Sequence, residues 1–314
     1  MFSLLGGIFL GWSLGANDAS NLFGAAVSSR MIKFWTAALI AAFFVLVGAL
    51  AEGGAGIETL KGLTQLTLEQ AVVCSVAAAL TVTAMTVLGL PVSTSQAVVG
   101  AIVGIGLLNR HINLDGLEKV VLCWIGTPLG GAFFAVIVYK VLAFIYNKAP
   151  LSLIQADALI RFLLVSAGSY GAYTLGANNV ANVTAVFVGA GRLDVFSATL
   201  VGGLSIGLGI VTFSHRVIAT IGRRLIKVDA FSALVVVLAE ALTVHAYTFV
   251  GVPVSTSQAV VGAVVGIGFL RGINSVRGKT LLNVFLAWVL TPGVATLFAV
   301  VIEFSIHLRY MPPP

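Results

Sequence analysis

Charged residues are scarce in this chain of 314 residues, and their scarcity limits the fold classes that it can adopt. Only 9% of the residues are Asp, Glu, Lys or Arg, against roughly a quarter in an average soluble domain. Hydrophobic residues make up 59% of the chain, and the mean hydropathy is +1.08. A soluble fold could not bury so much apolar surface, which excludes the soluble classes.

Cysteines and nucleotide-binding motifs are also rare or absent. Cys74 and Cys123 are the two cysteines; both lie in apolar runs without a partner at metal-ligand spacing, so neither a zinc site nor a disulfide is expected. The chain has no Gly-x-x-x-x-Gly-Lys-Ser/Thr loop and no His-Glu-x-x-His pair. Its net charge of +6 comes from basic residues in short loops, which indicates membrane topology and no nucleic-acid partner. We therefore expect neither an enzyme nor an organic cofactor.

Seven uncharged runs are long enough to cross a membrane as helices. They cover residues 34–51, 70–109, 120–139, 162–191, 195–214, 241–270 and 280–302. About 18 such residues mark a candidate spanning helix, whereas a membrane-spanning strand alternates apolar and polar residues. The sequence therefore predicts an all-α integral membrane protein that crosses the bilayer of the cell (inner) membrane several times.

Three motifs occur twice in the same order along the chain. The longest copies are identical at 15 of 16 positions, with Ile102 in one and Val264 in the other. The pairs are residues 15–21 with 176–182, residues 91–106 with 253–268, and residues 124–128 with 288–292. This arrangement indicates a duplication, and we predict two membrane repeats, residues 1–147 and residues 148–314.

Basic residues in four loops help to decide how the two repeats are oriented. If the repeats are inverted, six basic residues lie on one side of the membrane and two on the other; if they are parallel, the numbers are three and five. The inverted arrangement gives the clearer asymmetry. It places the amino terminus and Lys61 outside, with Arg30, Lys33 and the loop at residues 216–227 in the cytoplasm.

Polar residues and a helix breaker interrupt two of the apolar runs. After Pro91 the chain reads Ser-Thr-Ser-Gln at residues 93–96, and the dozen residues that follow, about 18 Å of helix, reach only part of the way across a bilayer. We predict a re-entrant helical hairpin with its tip at residues 91–96, and a second with its tip at residues 253–258. Backbone that leaves a helix at this depth needs partners, so both tips are candidate binding sites.

Hydroxyl groups in the two tips are candidate ligands for an anion. Ser and Thr are good helix N-caps, and the free N–H groups of a helix N-terminus favour an anion. A capping role alone is the alternative, but the same tip sequence at two symmetric positions favours binding. The predicted anion-binding hydroxyl residues are Ser93, Thr94, Ser95, Ser255, Thr256 and Ser257.

Amide-rich segments in the first helix of each repeat are further candidate sites, besides the hairpin tips. Residues 15–18 read Gly-Ala-Asn-Asp and residues 176–179 read Gly-Ala-Asn-Asn, and we predict that the first helix of each repeat breaks there. Amides offer both donors and acceptors, which suits an oxyanion beside a cation. Asp18 is predicted to bind sodium or to carry a proton. The alternative is a carboxylate near the membrane interface, paired with Arg30 or Lys33.

Glu240 is a second candidate cation ligand, because it interrupts an apolar stretch about three turns before the second tip. The alternative is a neutral buried residue or one hydrogen-bonded to His245. Glu52 begins a Gly-rich loop and is expected to be solvated.

With these paired motifs, the chain resembles the inorganic phosphate transporter (Pit) family over essentially its whole length. The resemblance implies a secondary transporter with inverted repeats, coupled in some members to sodium and in others to protons. The chain departs from the family at Asn179, where many members have a second Asp equivalent to Asp18. It also lacks the long soluble loop that animal members carry between the halves. The family's signature residues fall on the tip hydroxyls and on Asn17, Asp18, Asn21, Gln96, Asn178, Asn182 and Gln258.

Together these features predict a symporter that imports inorganic phosphate with sodium as the coupling ion. Hydrogen phosphate carries two negative charges and the motifs contain no Lys or Arg, so bound cations must supply positive charge. The predicted phosphate ligands are Asn17, Asn178 and the six tip hydroxyls, and the predicted sodium ligands are Asp18, Asn21, Gln96, Asn182, Glu240 and Gln258. Coupling to protons, transport of another tetrahedral oxyanion such as sulfate or arsenate, and a channel or ammonium-type pore are the alternatives. The sequence leaves open whether the chain forms a homodimer.

Overall fold

The computed structural model describes residues 2–87, 92–221, 229–271 and 278–310, and every regular element in these ranges is helical. A short 3-10 helix at Phe2–Leu4 comes before the first α-helix. The α-helices are α1 (Leu5–Ser28), α2 (Phe34–Glu52), α3 (Gly54–Lys61), α4 (Leu68–Val87), α5 (Thr94–Leu108), α6 (Leu114–Lys148), α7 (Leu153–Gly189), α8 (Val195–Ile221), α9 (Ala230–Val250), α10 (Thr256–Arg271) and α11 (Gly278–Tyr310). The predicted all-α class is confirmed.

Seven of the described helices, α2, α4, α6, α7, α8, α9 and α11, are long and apolar enough to cross a membrane. Their outer surfaces carry large apolar side chains, such as Phe43, Phe133 and Phe162, each at least 60% exposed. Water would not tolerate a continuous belt of such side chains, whereas lipid does. The chain is a multi-pass membrane protein, as predicted.

The α2 helix separates the two ends of the helical bundle. It begins at Phe34, just after Arg30, and runs for 19 residues, or about 28 Å, to Glu52, ahead of Lys61. We call these the Arg30 end and the Lys61 end. α1 finishes at the Arg30 end, whereas its counterpart α7 finishes at Gly189, where a Cβ atom would lie 3.3 Å from the Cβ atom of Lys61. Equivalent helices therefore run in opposite directions, and the repeats are inverted.

Two pairs of helices enter the bundle and return to the same end. At the Lys61 end, Gln70 near the start of α4 donates from Nε2 to Oδ1 of Asn109, directly after α5, at 3.0 Å. At the Arg30 end, Arg271 at the end of α10 donates to Oδ2 of Asp229, directly before α9, at 2.5 Å. α5 has 15 residues and α10 has 16, or about 22 to 24 Å, too short to cross. Both predicted re-entrant hairpins are therefore present, although Pro91 lies outside the described residues.

The predicted breaks in the first helix of each repeat are wrong. α1 continues without interruption through Asn17 and Asp18, and α7 continues through Asn178 and Asn179. Asn and Asp cost at most about 0.7 kcal/mol each in a helix interior, and no proline removes a backbone hydrogen bond in these segments. Their side chains find partners on neighbouring helices, as described below, so the backbone has no reason to unwind. The helical path is interrupted at the two hairpins, between α4 and α5 and between α9 and α10.

Helices of the two repeats pack against each other in symmetric pairs: α1 against α8, α2 against α7, α5 against α11, and α6 against α10. Glycines allow this close packing. A Cβ atom at Gly15 would overlap the carbonyl oxygen of Ile206, and one at Gly176 would overlap that of Val45. Each repeat thus completes the packing of the other. The boundary between residues 147 and 148 stays a prediction, next to the α6–α7 connection.

Candidate functional site

The two hairpin tips are in direct contact inside the bundle. Ser95 Oγ donates to the carbonyl oxygen of Val254 at 3.0 Å, and Ser257 Oγ donates to that of Val92 at 3.1 Å. These two bonds join equivalent residues of the two repeats, so a pseudo-two-fold axis passes between the tips. The symmetry predicted from the duplicated motifs is therefore present in the geometry of the site.

Serine caps begin both returning helices. Ser93 Oγ accepts a hydrogen bond from the backbone N–H of Gln96 at 3.3 Å, and Ser255 Oγ accepts one from that of Gln258, also at 3.3 Å. All four residues are buried. The prediction that the Ser-Thr-Ser segments start these helices is confirmed. The N-termini of α5 and α10 therefore lie in the interior, and each carries a partial positive charge. Neither tip contains a Lys or Arg.

Asp18 belongs to this interior and not to the membrane interface. Its Oδ1 accepts from Asn17 Nδ2 at 2.9 Å, and its Oδ2 accepts from Thr256 Oγ1 in the second hairpin at 3.1 Å. The alternative of a carboxylate paired with Arg30 or Lys33 is wrong, because Asp18 is only 4% exposed and its bonding partners lie within the bundle.

The side chain of Asn178 is fully engaged by the second hairpin. Nδ2 donates to Thr248 Oγ1 at 3.2 Å and to the carbonyl oxygen of Val252 at 3.0 Å, while Oδ1 accepts from the backbone N–H of Val254 at 2.7 Å. The amide thereby holds the extended segment that leads into the tip. Its predicted equivalent Asn17 is half-buried and bonds instead to Asp18.

Asn182 connects α7 to the first hairpin. Its Nδ2 donates to Ser95 Oγ and to Asn179 Oδ1, both at 2.9 Å. Its equivalent, Asn21, lies half-buried on α1, one turn after Asn17. The amide motif on α1 therefore contacts the second hairpin tip, and the amide motif on α7 contacts both tips.

Six buried polar atoms of the predicted site residues, and one of the neighbouring Asn179, have no hydrogen-bond partner among the described residues. Leaving such a group unpaired costs about 1–3 kcal/mol, so these atoms are candidates for contact with a ligand or with water. Two of the groups can donate, the Thr94 hydroxyl and the Asn179 Nδ2 amide; the other five are acceptors. Those acceptors are Gln96 Oε1, Asn182 Oδ1, Gln258 Oε1 and both carboxylate oxygens of Glu240.

Glu240 is 1% exposed and lies inside α9. The alternative of a hydrogen bond to His245 is wrong. His245 Nε2 lies 2.9 Å from Glu52 Oε2, and His245 Nδ1 lies 2.7 Å from the Tyr170 hydroxyl. Both histidine nitrogens are therefore engaged by other partners, and the role of Glu240, as a cation ligand or as a neutral buried residue, stays a prediction.

Glu52 is not simply solvated, because it is part of a polar cluster that sequence reasoning missed. The Tyr173 hydroxyl donates to Glu52 Oε1 at 2.7 Å, beside the bond from His245. The cluster joins α2, α7 and α9 next to a cavity of about 640 Å³. A lone histidine in an apolar run was its one signal, since its partners lie far apart in the sequence.

Two Gly-x-Ser-x-Gly segments, residues 11–15 and 203–207, match the pattern of a hydrolase nucleophile elbow. That elbow requires a sharp turn from a strand to a helix. Here both segments lie inside continuous helices, α1 and α8. Ser205 Oγ donates to the carbonyl oxygen one turn earlier, as helical serines often do. The pattern therefore reflects helix packing and forms no catalytic site.

Comparison with known proteins yields one family and consistent relatives. A sequence model described as "Phosphate transporter family" matches residues 14–156 and again residues 151–299. Sulfate permease CysP of Bacillus subtilis (strain 168) is 31% identical, with 92% of this chain and 83% of that protein covered. A solved structure described as "The sodium-dependent phosphate transporter" has a TM-score of 0.86 at 24% identity and covers 98% of this chain and 100% of that one. The structural likeness concerns the fold.

Proposed function

Because this chain belongs to the phosphate transporter family, we propose that it is a symporter that carries inorganic phosphate into the cell together with sodium. The chain is a transport protein and not an enzyme, embedded in the cell membrane by its spanning helices. The observation that carries the proposal is the set of buried, unpartnered donors and acceptors beside the two interlocked hairpin tips.

The donors suit a tetrahedral oxyanion. The Thr94 hydroxyl and the Asn179 amide can donate to anion oxygens, and the N-termini of α5 and α10 add backbone N–H groups and dipole charge. The remaining tip residues hold the two tips together and cap their helices. In this proposal, Asn17 and Asn178 act mainly by positioning Asp18 and the second tip.

The acceptors suit sodium, a hard cation that prefers oxygen ligands. In this proposal Asp18 and Glu240 are ionised next to a dianionic substrate, and no Lys or Arg lies in the amide segments or the hairpin tips. Two like charges 4 Å apart repel by about 4 kcal/mol at an effective dielectric constant of 20. Bound cations remove this repulsion, which is the physical reason for coupling. Gln96, Asn182 and Gln258 supply neutral oxygens, and Asn21 lies one turn from Asn17.

The inverted symmetry suggests how access alternates. The tips have the same sequence but enter the bundle from opposite ends. If the two repeats exchange their conformations, a site open towards one end becomes open towards the other. The paired bonds from Ser95 and Ser257 would then mark the contact that closes and opens in turn.

Uptake of labelled phosphate into proteoliposomes tests the proposal. We expect saturable uptake driven by an inward sodium gradient and lost when choline replaces sodium. A parallel arm with a proton gradient and no sodium distinguishes proton coupling. Flux that does not saturate and needs no cation gradient would indicate a channel and contradict the proposal.

A second candidate substrate is sulfate, favoured by the relative from Bacillus subtilis that is named a sulfate permease. Hydroxyl and amide donors fit phosphate and sulfate alike. Competition by unlabelled sulfate in the same uptake assay tests this alternative directly.

A further inference from the structure

The two repeats differ at one buried position of the site. Asp18 in α1 and Asn179 in α7 are equivalent, and so are Thr256 and Thr94 in the two tips. Asp18 accepts a hydrogen bond from Thr256, whereas the Thr94 hydroxyl has no partner among the described residues. The bond between carboxylate and hydroxyl that closes one side of the site is therefore missing on the other.

The hydrogen bonds of Asn179 fix which of its atoms is free. Ser95 Oγ gives its one proton to the carbonyl oxygen of Val254, so the Asn182 atom 2.9 Å from it must be the donating nitrogen. That nitrogen also donates at 2.9 Å to Asn179, whose accepting atom is therefore the oxygen Oδ1. The amide nitrogen is the group without a partner in the described part of the chain, on a side chain that is 2% exposed. The second repeat thus has an unpartnered donor at the position where the first repeat has a carboxylate whose two oxygens both accept hydrogen bonds.

Phosphate and sulfate differ in the hydrogen bonds that they can form with the side chain at position 179. Hydrogen phosphate has one P–OH group that donates, whereas sulfate has four oxygens that only accept. A carboxylate at position 179 that holds no cation would need a proton donor in front of it, which the P–OH group of hydrogen phosphate provides and sulfate does not. An amide donor serves either anion, because both present an unprotonated oxygen. Sites built around one hydrogen-bonding partner discriminate strongly against ligands that leave it unpaired.

We propose that Asn179 allows the site to accept a fully unprotonated tetrahedral dianion, so that the protein carries sulfate as well as phosphate. This inference rests on the proposed function and adds the residue that sets the choice between the two anions. A relative with 31% identity that is named a sulfate permease is consistent with an unprotonated dianion as substrate.

The experiment compares uptake of labelled phosphate and labelled sulfate by the wild type and by Asn179→Asp in proteoliposomes. The substitution keeps the side-chain shape and the oxygen that accepts from Asn182, and it replaces only the unpartnered nitrogen. We expect the wild type to transport both anions. In Asn179→Asp, the preference for phosphate over sulfate should rise by about tenfold or more, because sulfate would face an unpaired buried acceptor.

A matched control makes the same chemical change away from the site. Asn113 is exposed and caps α6 by accepting from the backbone N–H of Gly116 at 3.0 Å, a role that Asp fills equally well. Its Nδ2 also donates to the carbonyl oxygen of Gly62 at 3.2 Å, so the substitution removes one exposed hydrogen bond remote from the site. Asn113→Asp should therefore leave both uptake rates and their ratio unchanged.

Each outcome decides the inference. If the wild type takes up phosphate but not sulfate, and sulfate does not inhibit phosphate uptake, the inference is overturned and the proposed function stays intact. An unchanged anion preference in Asn179→Asp would also overturn it. If the wild type transports neither anion, the proposed function fails and this inference with it. If Asn179→Asp does not fold, sulfate uptake and competition in the wild type decide alone.

Discussion

Asp18 shares a hydrogen bond with Thr256 across the two repeats, and this single carboxylate carries our prediction about coupling. Asp18→Asn keeps the shape and removes the charge. We expect the sodium concentration for half-maximal uptake to rise about tenfold or more, because an interaction with a charged group contributes about 1.5–3 kcal/mol. The apparent phosphate affinity at saturating sodium should change much less, since a carboxylate repels an anion. Sodium titration of phosphate uptake measures both, and unchanged sodium dependence would assign Asp18 a structural role.

The two tip threonines are chemically identical but have different surroundings, so we expect different effects from the same substitution. Thr94→Val removes a hydroxyl without a described partner; phosphate affinity should fall by about 5- to 150-fold, the equivalent of 1–3 kcal/mol, with no loss of stability. Thr256→Val leaves a buried carboxylate oxygen of Asp18 unpaired, so thermal stability should fall as well.

Uptake kinetics and thermal unfolding in detergent separate the two effects. Equal stability losses in both threonine variants would mean that Thr94 also has a structural partner. Unchanged phosphate affinity in both would make the tips scaffolding and move the anion site towards α1 and α7.

At the residue scale, the sequence was enough to predict the helix caps, because a Ser-Thr-Ser segment before an apolar run has a local meaning. It was not enough to predict what Asn178 does. Its partners are backbone groups of Val252 and Val254, which come close only after the second hairpin has packed against α7. An amide can donate or accept with equal ease, so its role depends on neighbours that the sequence does not display.

Gly15 is one of the glycines that let α1 pack closely against α8, which gives a prediction at the scale of the helices. Gly15→Ala would push a methyl group into the carbonyl oxygen of Ile206 and should destabilise the protein by about 1–3 kcal/mol through overpacking. Thermal unfolding in detergent measures the change.

Gly24 provides the control on the same helix, because its added Cβ atom would meet only the Ser20 Cβ atom, at 4.0 Å. Gly24→Ala should be neutral or stabilising by up to about 1 kcal/mol, the difference in helix propensity. A similar loss of stability in both variants would show that packing between α1 and α8 is not the cause.

At the element scale, the hairpins were predictable and the continuity of α1 and α7 was not. Proline, hydroxyl residues and a short apolar remainder together indicate a return within the membrane. Polar residues alone do not break a helix, because a neighbouring helix can satisfy them, as Thr256 does for Asp18. Only the packing of the second repeat against the first decides between the two outcomes.

At the scale of the whole molecule, the duplication predicted the inverted repeats but not how they interlock. Close packing of α1 on α8 and α2 on α7 means that neither repeat encloses its own core. Small residues occur throughout the helices, and only the folded arrangement shows which of them, such as Gly15 and Gly176, face a backbone carbonyl of the other repeat.

The orientation in the cell is the last prediction, and it follows from the two ends of the bundle. Lys33 is exposed at the Arg30 end and Lys61 lies at the opposite end, while part of the basic loop at residues 216–227 falls outside the described residues. Because cytoplasmic loops carry an excess of Lys and Arg, we expect the Arg30 end to face the cytoplasm. An impermeant thiol reagent applied to intact cells should then label Lys61→Cys and should label Lys33→Cys only after permeabilisation.

Native cysteines should contribute little background to this labelling, since Cys74 and Cys123 are both buried. The unsubstituted protein, treated in parallel, measures that background. Labelling of Lys33→Cys in intact cells, with Lys61→Cys protected, would reverse the orientation. Because the repeats are inverted, the reversal would exchange which hairpin enters from the cytoplasm. Asp18 would still contact the second hairpin, but that hairpin would then enter from outside, so the order in which sodium and the anion reach the site would have to be reconsidered.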